Sequence, residues 1–377
     1  MLREGRLEIA VDALQVTPRG AGVARYVREL LGSLPDVLRP TEQVTAFVQR
    51  GALDVLPAPS TGLTYTVFSD RPTWQRIITQ QFQVPSMAVS FNVIHFPDYL
   101  TPFRWKQTPY ALTIHDMAYA ADGRFFTWGQ RGLRRIANPL GIRRASHLMV
   151  DSQFTRSELL RLFPDVADSR VSVIYPGIPR FATPRKSRDV AKRYGVPDRF
   201  VLSVGTLEPR KNLEALVEAF EQPELADESL VLVGSDGWGP GLDKRLRTNR
   251  TLAKRIITTG HVSDADLGAL YGEATAFAYV SFYEGFGFPL LEALSAGLPS
   301  VASDIPVFRE TAREAALYVD PNSPQSIAGG IRRILDSNDL RDRLRKAADE
   351  VTRSYTWRSC AERVVNVYRE IAARRDV

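Results

Sequence analysis

The chain has 377 residues, more than one core of ~150 residues organises, so two or three domains are expected. Hydrophobic residues make up 44% and charged residues 24%, which excludes a disordered chain, a collagen-like fibre and a disulfide scaffold. The formal charge of +6 and pI of 9.4 favour polyanions, but only seven of the 49 basic residues are lysines, so arginine-rich base composition explains the charge equally well and it selects no partner.

The lone cysteine, Cys360, has no internal partner, which fits a reducing, cytoplasmic setting. Met1 to Ala13 carries Glu4, Glu8 and Asp12 and lacks the apolar run of a signal peptide. No stretch reaches the ~18 uninterrupted apolar residues of a spanning helix.

Taken along the chain, Leu7–Ala13 reads as a strand. Val23, Val27, Leu30, Leu31 and Leu34 then mark an amphipathic helix. Val44–Val48, Leu63–Phe68, Asn92–Phe96, Pro109–His115 and His147–Asp151 are further strand candidates. Tyr175-Pro176-Gly177-Ile178-Pro179 punctuates strongly, and the polar, basic stretch to Lys192 suits a linker. A second series follows: Phe200–Gly205, Leu230–Gly234, Ile256–Gly260, Thr275–Tyr279, Pro299–Ser303 and Ala316–Val319. From Pro324 to Arg375 only helices are expected, and no repeat or low-complexity tract appears. Strand–helix alternation of this kind predicts an α/β protein of two Rossmann-like domains facing across a cleft. Residues 1–178 form the first domain and 179–355 the second. In such open sheets, ligands bind outside the carboxyl ends of the strands.

Several segments sit at those ends. Pro18-Arg19-Gly20-Ala21-Gly22-Val23 joins the first strand to the first helix; Gly20 and Gly22 permit either a ligand-side turn or plain βα economy. Ile114-His115-Asp116 closes a strand, so His115 and Asp116 are candidate site residues, unless His115 is an ordinary core histidine; Asp116 either orients His115 or meets an acceptor hydroxyl. Between Arg124 and Arg144 there is no acid, and Arg124, Phe125, Phe126, Trp128 and Arg131 form either a membrane or acceptor surface or a solvated basic helix. Arg210 and Lys211 follow the turn at Gly205 and Thr206. Gly234-Ser235-Asp236-Gly237-Trp238-Gly239 is a second glycine-rich turn, beside a ligand or plain.

The strongest signal is Tyr283-Glu284-Gly285-Phe286-Gly287-Phe288-Pro289-Leu290-Leu291-Glu292. A strand ends, two glycines turn the chain, and Pro289 opens a helix expected from Leu290 to about Ala296, with Gly297 behind it. The amides of Phe286, Gly287 and Phe288 then point out of a helix start, an anion site. Glu284 and Glu292 flank it, and carboxylates accept from hydroxyl pairs, so the pattern suits a sugar nucleotide. No Cys/His spacing suits zinc, and Asp264-Ala265-Asp266 reads as a helix start after Ser263, so no metal is expected. Neither a nucleophile elbow nor a Gly-Lys-Ser/Thr phosphate loop occurs.

These segments resemble the retaining glycosyltransferases of the two-domain GT-B fold, the group called family 4 or glycosyltransferase group 1. The likeness rests on the Glu-x7-Glu spacing of Glu284 and Glu292, on Val204-Gly205-Thr206-Leu207-Glu208-Pro209-Arg210-Lys211-Asn212, and on Gly260-His261-Val262-Ser263-Asp264-Ala265-Asp266-Leu267. Pro299-Ser300-Val301-Ala302-Ser303 and the Gly22-x-x-Arg25-Tyr26 string extend it. Two positions depart from the family: Thr206 replaces a common arginine, which leaves open whether Arg210 takes its place, and Val280 replaces a common proline.

The resemblance implies that Glu284 approaches the donor sugar and the charge at its anomeric carbon. It implies that Glu292 binds ribose hydroxyls, and that Lys211 and Arg210 neutralise the diphosphate. Gly285, Phe286, Gly287, Phe288, Gly205, Thr206, Gly20, Gly22, Gly234 and Val262 complete the donor site, and His115 helps hold the sugar. It further implies that 356–377 crosses back to the first domain, and that no cofactor is used beyond a nucleoside-diphosphate sugar substrate. The expected reaction passes a hexose, first mannose from GDP-mannose, to a saccharide or lipid-linked acceptor, from the cytoplasm or the inner membrane face, with peripheral contact to anionic lipid. A phosphorylase or sugar-nucleotide epimerase of the same architecture is the alternative. A nucleic-acid-binding protein is a remote one, because no recognition module is present.

Overall fold

The computed structural model describes residues 6–18, 20, 22–105, 108–121, 138–179, 188–234 and 241–374. The chain divides into two compact units, Met1–Gly177 with Tyr355–Val377, and Ile178–Ser354.

The first unit holds β1 (Leu7–Asp12), β2 (Glu42–Gln49), β3 (Leu63–Phe68), β4 (Val93–Phe96), β5 (Tyr110–Ile114), β6 (His147–Val150) and β7 (Val171–Val173). They form one parallel sheet in the order β3-β2-β1-β4-β5-β6-β7. Every residue of β4, β5 and β6 is buried, as expected of strands covered on both faces. Strand β7 goes beyond the sequence reading; three residues at a sheet edge carry too little pattern to register.

The helix Trp357–Ala373 belongs to this unit. The Thr356 hydroxyl accepts from the Ser359 amide and starts it. Ala361, Val364, Val365, Tyr368 and Ile371 form its buried stripe, packed beside the helix Val23–Ser33 and under β4 and β5. Two polar ties fix it. The Tyr368 hydroxyl lies 2.7 Å from His95 Nδ1, and Arg369 Nε donates to Glu42 Oε1 at 2.7 Å.

The second unit holds β8 (Val201–Val204), β9 (Leu230–Val233), β10 (Ile256–Gly260), β11 (Ala276–Tyr279), β12 (Ser300–Ser303) and β13 (Ala316–Val319). Their order is β10-β9-β8-β11-β12-β13, all parallel. Chain order reverses between β8 and β11. The loops leaving these two neighbours diverge to opposite faces and open a crevice at their carboxyl ends. One is the Gly205–Asn212 loop and the other carries Glu284, so the topology brings together the two strongest motifs of the sequence.

Candidate functional site

The loop after β8 tightens into a single 3-10 turn, Pro209–Lys211, and ends at Asn212 in the left-handed region, φ 56°. Asparagine tolerates that conformation better than most side chains. Its Nδ2 donates to the carbonyls of Val280 at 3.0 Å and Pro321 at 2.7 Å, which ties the turn to the chain leaving β11. The backbone of Phe282 closes the same gap by donating to the Arg210 carbonyl at 2.9 Å.

Arg210 and Lys211 converge on one carboxylate. Glu284 Oε1 accepts from Lys211 Nζ at 2.6 Å and from the Tyr279 hydroxyl at 2.9 Å; its Oε2 accepts from an Arg210 guanidinium nitrogen at 2.7 Å. Lys211 also donates to the Tyr279 hydroxyl at 2.8 Å, and Arg210 to the Tyr283 carbonyl at 2.9 Å. All three charged side chains are largely buried. Burial alone would raise the Glu284 pKa, but Arg210 and then Lys211 outweigh it and hold the carboxyl down at about 2. Burial lowers the Lys211 pKa against the pull of Glu284. The two cations thus share the Glu284 carboxylate, and Glu208 Oε1 stands 3.6 Å from the other end of the Arg210 guanidinium, so two acids face two bases at the strand ends.

Glycine is required where the second loop passes. A Cβ on Gly234 would run into the Gly205 carbonyl oxygen, so the turns after β8 and β9 lie back to back only without a side chain there. At the acidic motif Gly287 sits at φ 92°, and a Cβ there would meet the Phe308 ring at 2.7 Å. This left-handed residue starts the helix Phe288–Ser295, two residues ahead of the Leu290 start expected from sequence, with Pro289 in its first turn. Helix-start amides have no intrahelical acceptor, so this end adds partial positive charge beside the Arg210–Glu284–Lys211 cluster.

Glu292, on the second turn of that helix, is buried, and its Oε2 accepts from the Tyr271 hydroxyl at 3.1 Å. Gly285 stands between Glu284 and the buried Phe286, whose ring packs edge-on against Phe288 at 5.1 Å. Thr206 is half-buried, and its carbonyl accepts from the Glu208 amide at 2.8 Å. Val262 is buried after β10, next to Ser263, whose hydroxyl caps the helix Asp264–Glu273 by accepting from the Asp266 amide.

The first unit holds the remaining candidates. Gly20 precedes the first helix, and Gly22 is its N-cap. His115 follows β5. Its Nδ1 lies 2.7 Å from Asp151 Oδ2 and its Nε2 lies 2.9 Å from the Pro97 carbonyl. The Pro97 carbonyl fixes one proton on Nε2; burial raises the Asp151 pKa, and with Asp151 ionised a second proton on Nδ1 makes the ring an imidazolium. Burial opposes that charge, but Asp151, assisted by Asp98, outweighs it and lifts the His115 pKa to about 9. Tyr26 packs edge-on to the same ring at 4.8 Å. The carboxylate that orients His115 is therefore Asp151 rather than Asp116; Asp116 Oδ1 accepts from the Ala118 amide at 2.9 Å and the Tyr99 hydroxyl at 3.1 Å. Asp151 stands one residue past β6, so the rule that singled out His115 would have found it.

Tyr279 and Tyr271 carry no sequence signal, because a tyrosine in an apolar segment reads as core until its hydroxyl partner is known. Arg124, Phe125, Phe126, Trp128 and Arg131 lie outside the described residues, as do 235–240 of the second glycine-rich turn. Among the described residues, no three His, Cys, Asp or Glu side chains are grouped to hold a metal ion. No helix among them is long and apolar enough to cross a membrane.

Two parallel sheets of this order, with cations and a helix start gathered at the switch point of the second, define a GT-B glycosyltransferase architecture. Comparison with known proteins agrees. The family described as glycosyl transferases group 1 matches residues 188–351, and glycosyltransferase family 4 matches residues 20–180. Together the two matches support a group 1 glycosyltransferase of the GT-B fold. It is 29% identical over 369 residues to the O-antigen chain mannosyltransferase B of Escherichia coli, covering 92% of this chain and 96% of that protein. It is 29% identical over 272 residues to a GDP-mannose:cellobiosyl-diphosphopolyprenol alpha-mannosyltransferase of Komagataeibacter xylinus, covering 68% of this chain and 66% of that one. The solved sucrose-phosphate synthase of Thermosynechococcus elongatus shares the fold with a TM-score of 0.76 at 21% identity, over 98% of this chain and 100% of that chain.

Proposed function

We propose that this glycosyltransferase moves mannose from GDP-mannose to a saccharide or lipid-linked acceptor, with retention of anomeric configuration and without a metal ion or other cofactor. The observation that carries the reading is the buried Arg210–Glu284–Lys211 cluster beside the Phe288–Ser295 helix start. A nucleoside diphosphate leaves as a polyanion. Cations already fixed where that charge develops lower the barrier without reorganising, and by the same logic they replace a divalent metal. Glu284 keeps both cations in place and presents a carboxylate of very low pKa, which remains charged as positive charge grows at the anomeric carbon. Glu292 takes the ribose hydroxyls. The acceptor belongs to the first unit, where the His115–Asp151 pair fixes the chain leaving β5. The protein acts in the cytoplasm or at the inner membrane face.

Mannose is supported by the two relatives above, both named as mannosyltransferases. A thermal-shift series with GDP, UDP and dTDP tests the donor, because a ligand that binds only the folded state raises its stability. A large shift with GDP alone fits the proposal; one with UDP alone removes it. Labelled GDP-mannose, incubated without and with an acceptor, separates transfer from epimer formation and from phosphate-dependent cleavage. The anomeric configuration of the product reads out retention, and assay in excess chelator reads out metal independence.

A further inference from the structure

Donor binding sets the charge cluster a problem of balance. Arg210 and Lys211 already face Glu284 and Glu208, so these side chains leave no net charge to receive a polyanion. Thr206 sharpens the problem, because it stands where an arginine is common and the loop therefore lacks a third cation. One of the two acids has to give up its place before a diphosphate can take it.

The two acids are not held alike. The Glu284 side chain is 8% exposed and accepts from Lys211 at 2.6 Å, Arg210 at 2.7 Å and Tyr279 at 2.9 Å. Taking it away would strand two buried cations, the costly way to break a buried pair. The Glu208 side chain is 22% exposed, and its Oε1 stands 3.6 Å from Arg210 Nη2, outside hydrogen-bonding distance. Ion pairs with access to water contribute little, so Glu208 is the acid that yields. Its backbone is pinned on both sides: the amide donates to the Thr206 carbonyl at 2.8 Å, and the carbonyl accepts from the Lys211 amide at 2.9 Å. The side chain can therefore swing into water while the turn carrying Arg210 and Lys211 keeps its shape. Were it to stay, its carboxylate would lie about 4 Å from a phosphate oxygen on the same guanidinium, a range at which like charges repel strongly.

We propose that Glu208 is a displaceable counter-ion: it occupies the end of Arg210 that receives the diphosphate, yields it when the donor binds, and takes it back as the nucleoside diphosphate departs. The exchange belongs to binding, so both cations are in place before charge develops in the transfer step. Glu208 thereby weakens donor binding and speeds product release, because the re-formed ion pair offsets part of the lost phosphate contact. This role rests on the reading that Arg210 and Lys211 receive the diphosphate, and not on which nucleoside or sugar is carried.

The test is calorimetric titration of the full chain with inorganic pyrophosphate, GDP and guanosine. Glu208→Gln keeps the shape and removes the charge; it is expected to bind pyrophosphate and GDP about threefold to tenfold more tightly than the wild type, with guanosine unchanged. Glu208→Asp keeps the charge and is expected to stay within about twofold of the wild type for all three. A residue that merely propped Arg210 would give the opposite sign in Glu208→Gln, because its loss would loosen the clamp. The role is overturned by unchanged or weaker pyrophosphate binding in Glu208→Gln, by an equal gain for guanosine, by an equal gain in Glu208→Asp, or by pyrophosphate binding to none of the three proteins. Tighter pyrophosphate binding in Glu208→Gln with no GDP binding to any of them would keep Glu208 in this role and remove the GDP-mannose reading instead.

Discussion

Lys211 and Glu284 are 73 residues apart in the chain, and Lys211 Nζ lies 2.6 Å from Glu284 Oε1. The contact exists because β8 and β11 are hydrogen-bonded neighbours, so the loops leaving them start side by side. Arg210 takes the other oxygen of the same carboxylate, so Glu284 is the keystone of the charge cluster.

Replacing Glu284 by Gln keeps the shape and removes the charge. Turnover is expected to fall by about 10²-fold or more, the usual effect of deleting a group that faces developing charge. Affinity for GDP should change far less. Steady-state kinetics beside calorimetric titration with GDP separate the two; equal losses in both would show that Glu284 only supports binding.

Lys211→Met removes one cation of the cluster and leaves Glu284 buried with Arg210 alone. Breaking one partner of a buried ion pair costs ~3–5 kcal/mol, so the melting temperature should drop together with GDP affinity. In Lys211→Met/Glu284→Gln the loss of stability should be smaller than the sum of the single losses, because neither variant then strands the other's charge. Thermal melts of the four proteins complete the cycle, and simple additivity would mean that the two groups do not couple.

Gly234→Ala tests the packing of the two turns. The new methyl group meets the Gly205 carbonyl, which is backbone and cannot swing aside as a side chain would. The loop must shift, with it the path to Arg210 and Lys211, so GDP affinity is expected to fall about tenfold or more with a cost of ~1–3 kcal/mol in stability. Wild-type affinity in this variant would show that the loop is not part of the donor site.

Glu292 and Tyr271 separate binding from support. Glu292→Ala should weaken GDP binding with little change in turnover of the bound donor. Tyr271→Phe removes one hydrogen bond to the carboxylate, worth ~0.5–1.5 kcal/mol, and should give a smaller loss in the same direction. Binding titrations rank the two; a larger effect from Tyr271→Phe would contradict the assigned roles.

The His115–Asp151 pair predicts a pH dependence. The histidine pKa is raised on folding from 6.5 to about 9, so its stabilising contribution is complete below pH 6.5 and is lost as pH rises through 9. Melting temperature should therefore decline over that window in the wild type. Asp151→Asn, which removes the charge that lifts the pKa, should be less stable at neutral pH and lose most of that slope. Identical slopes would mean that His115 does not carry the charge.

Much of this protein was legible before any coordinates. β-Branched runs between helical periods announced both sheets, because a strand covered on both faces must be apolar throughout. The acidic motif was legible for a local reason: two glycines, a proline and a helix period fix a strand–turn–helix within ten residues. Val171–Val173 was not legible, because an edge strand this short borrows its definition from β6. The Phe288 start was two residues off because the left-handed Gly287, rather than Pro289, sets the boundary.

The sequence by itself determined the elements, the placing of candidate residues at strand ends and the excess of positive charge, all of which follow from local periodicity and residue chemistry. Tertiary structure alone decided the partners: that Arg210 and Lys211 share Glu284, that Asp151 and not Asp116 holds His115, and that Tyr271 reaches Glu292. Each of these contacts joins residues more than 20 positions apart. Strand order brings such residues together, and strand order follows from how all the helices and strands bury their apolar faces at once, which no local stretch of chain encodes.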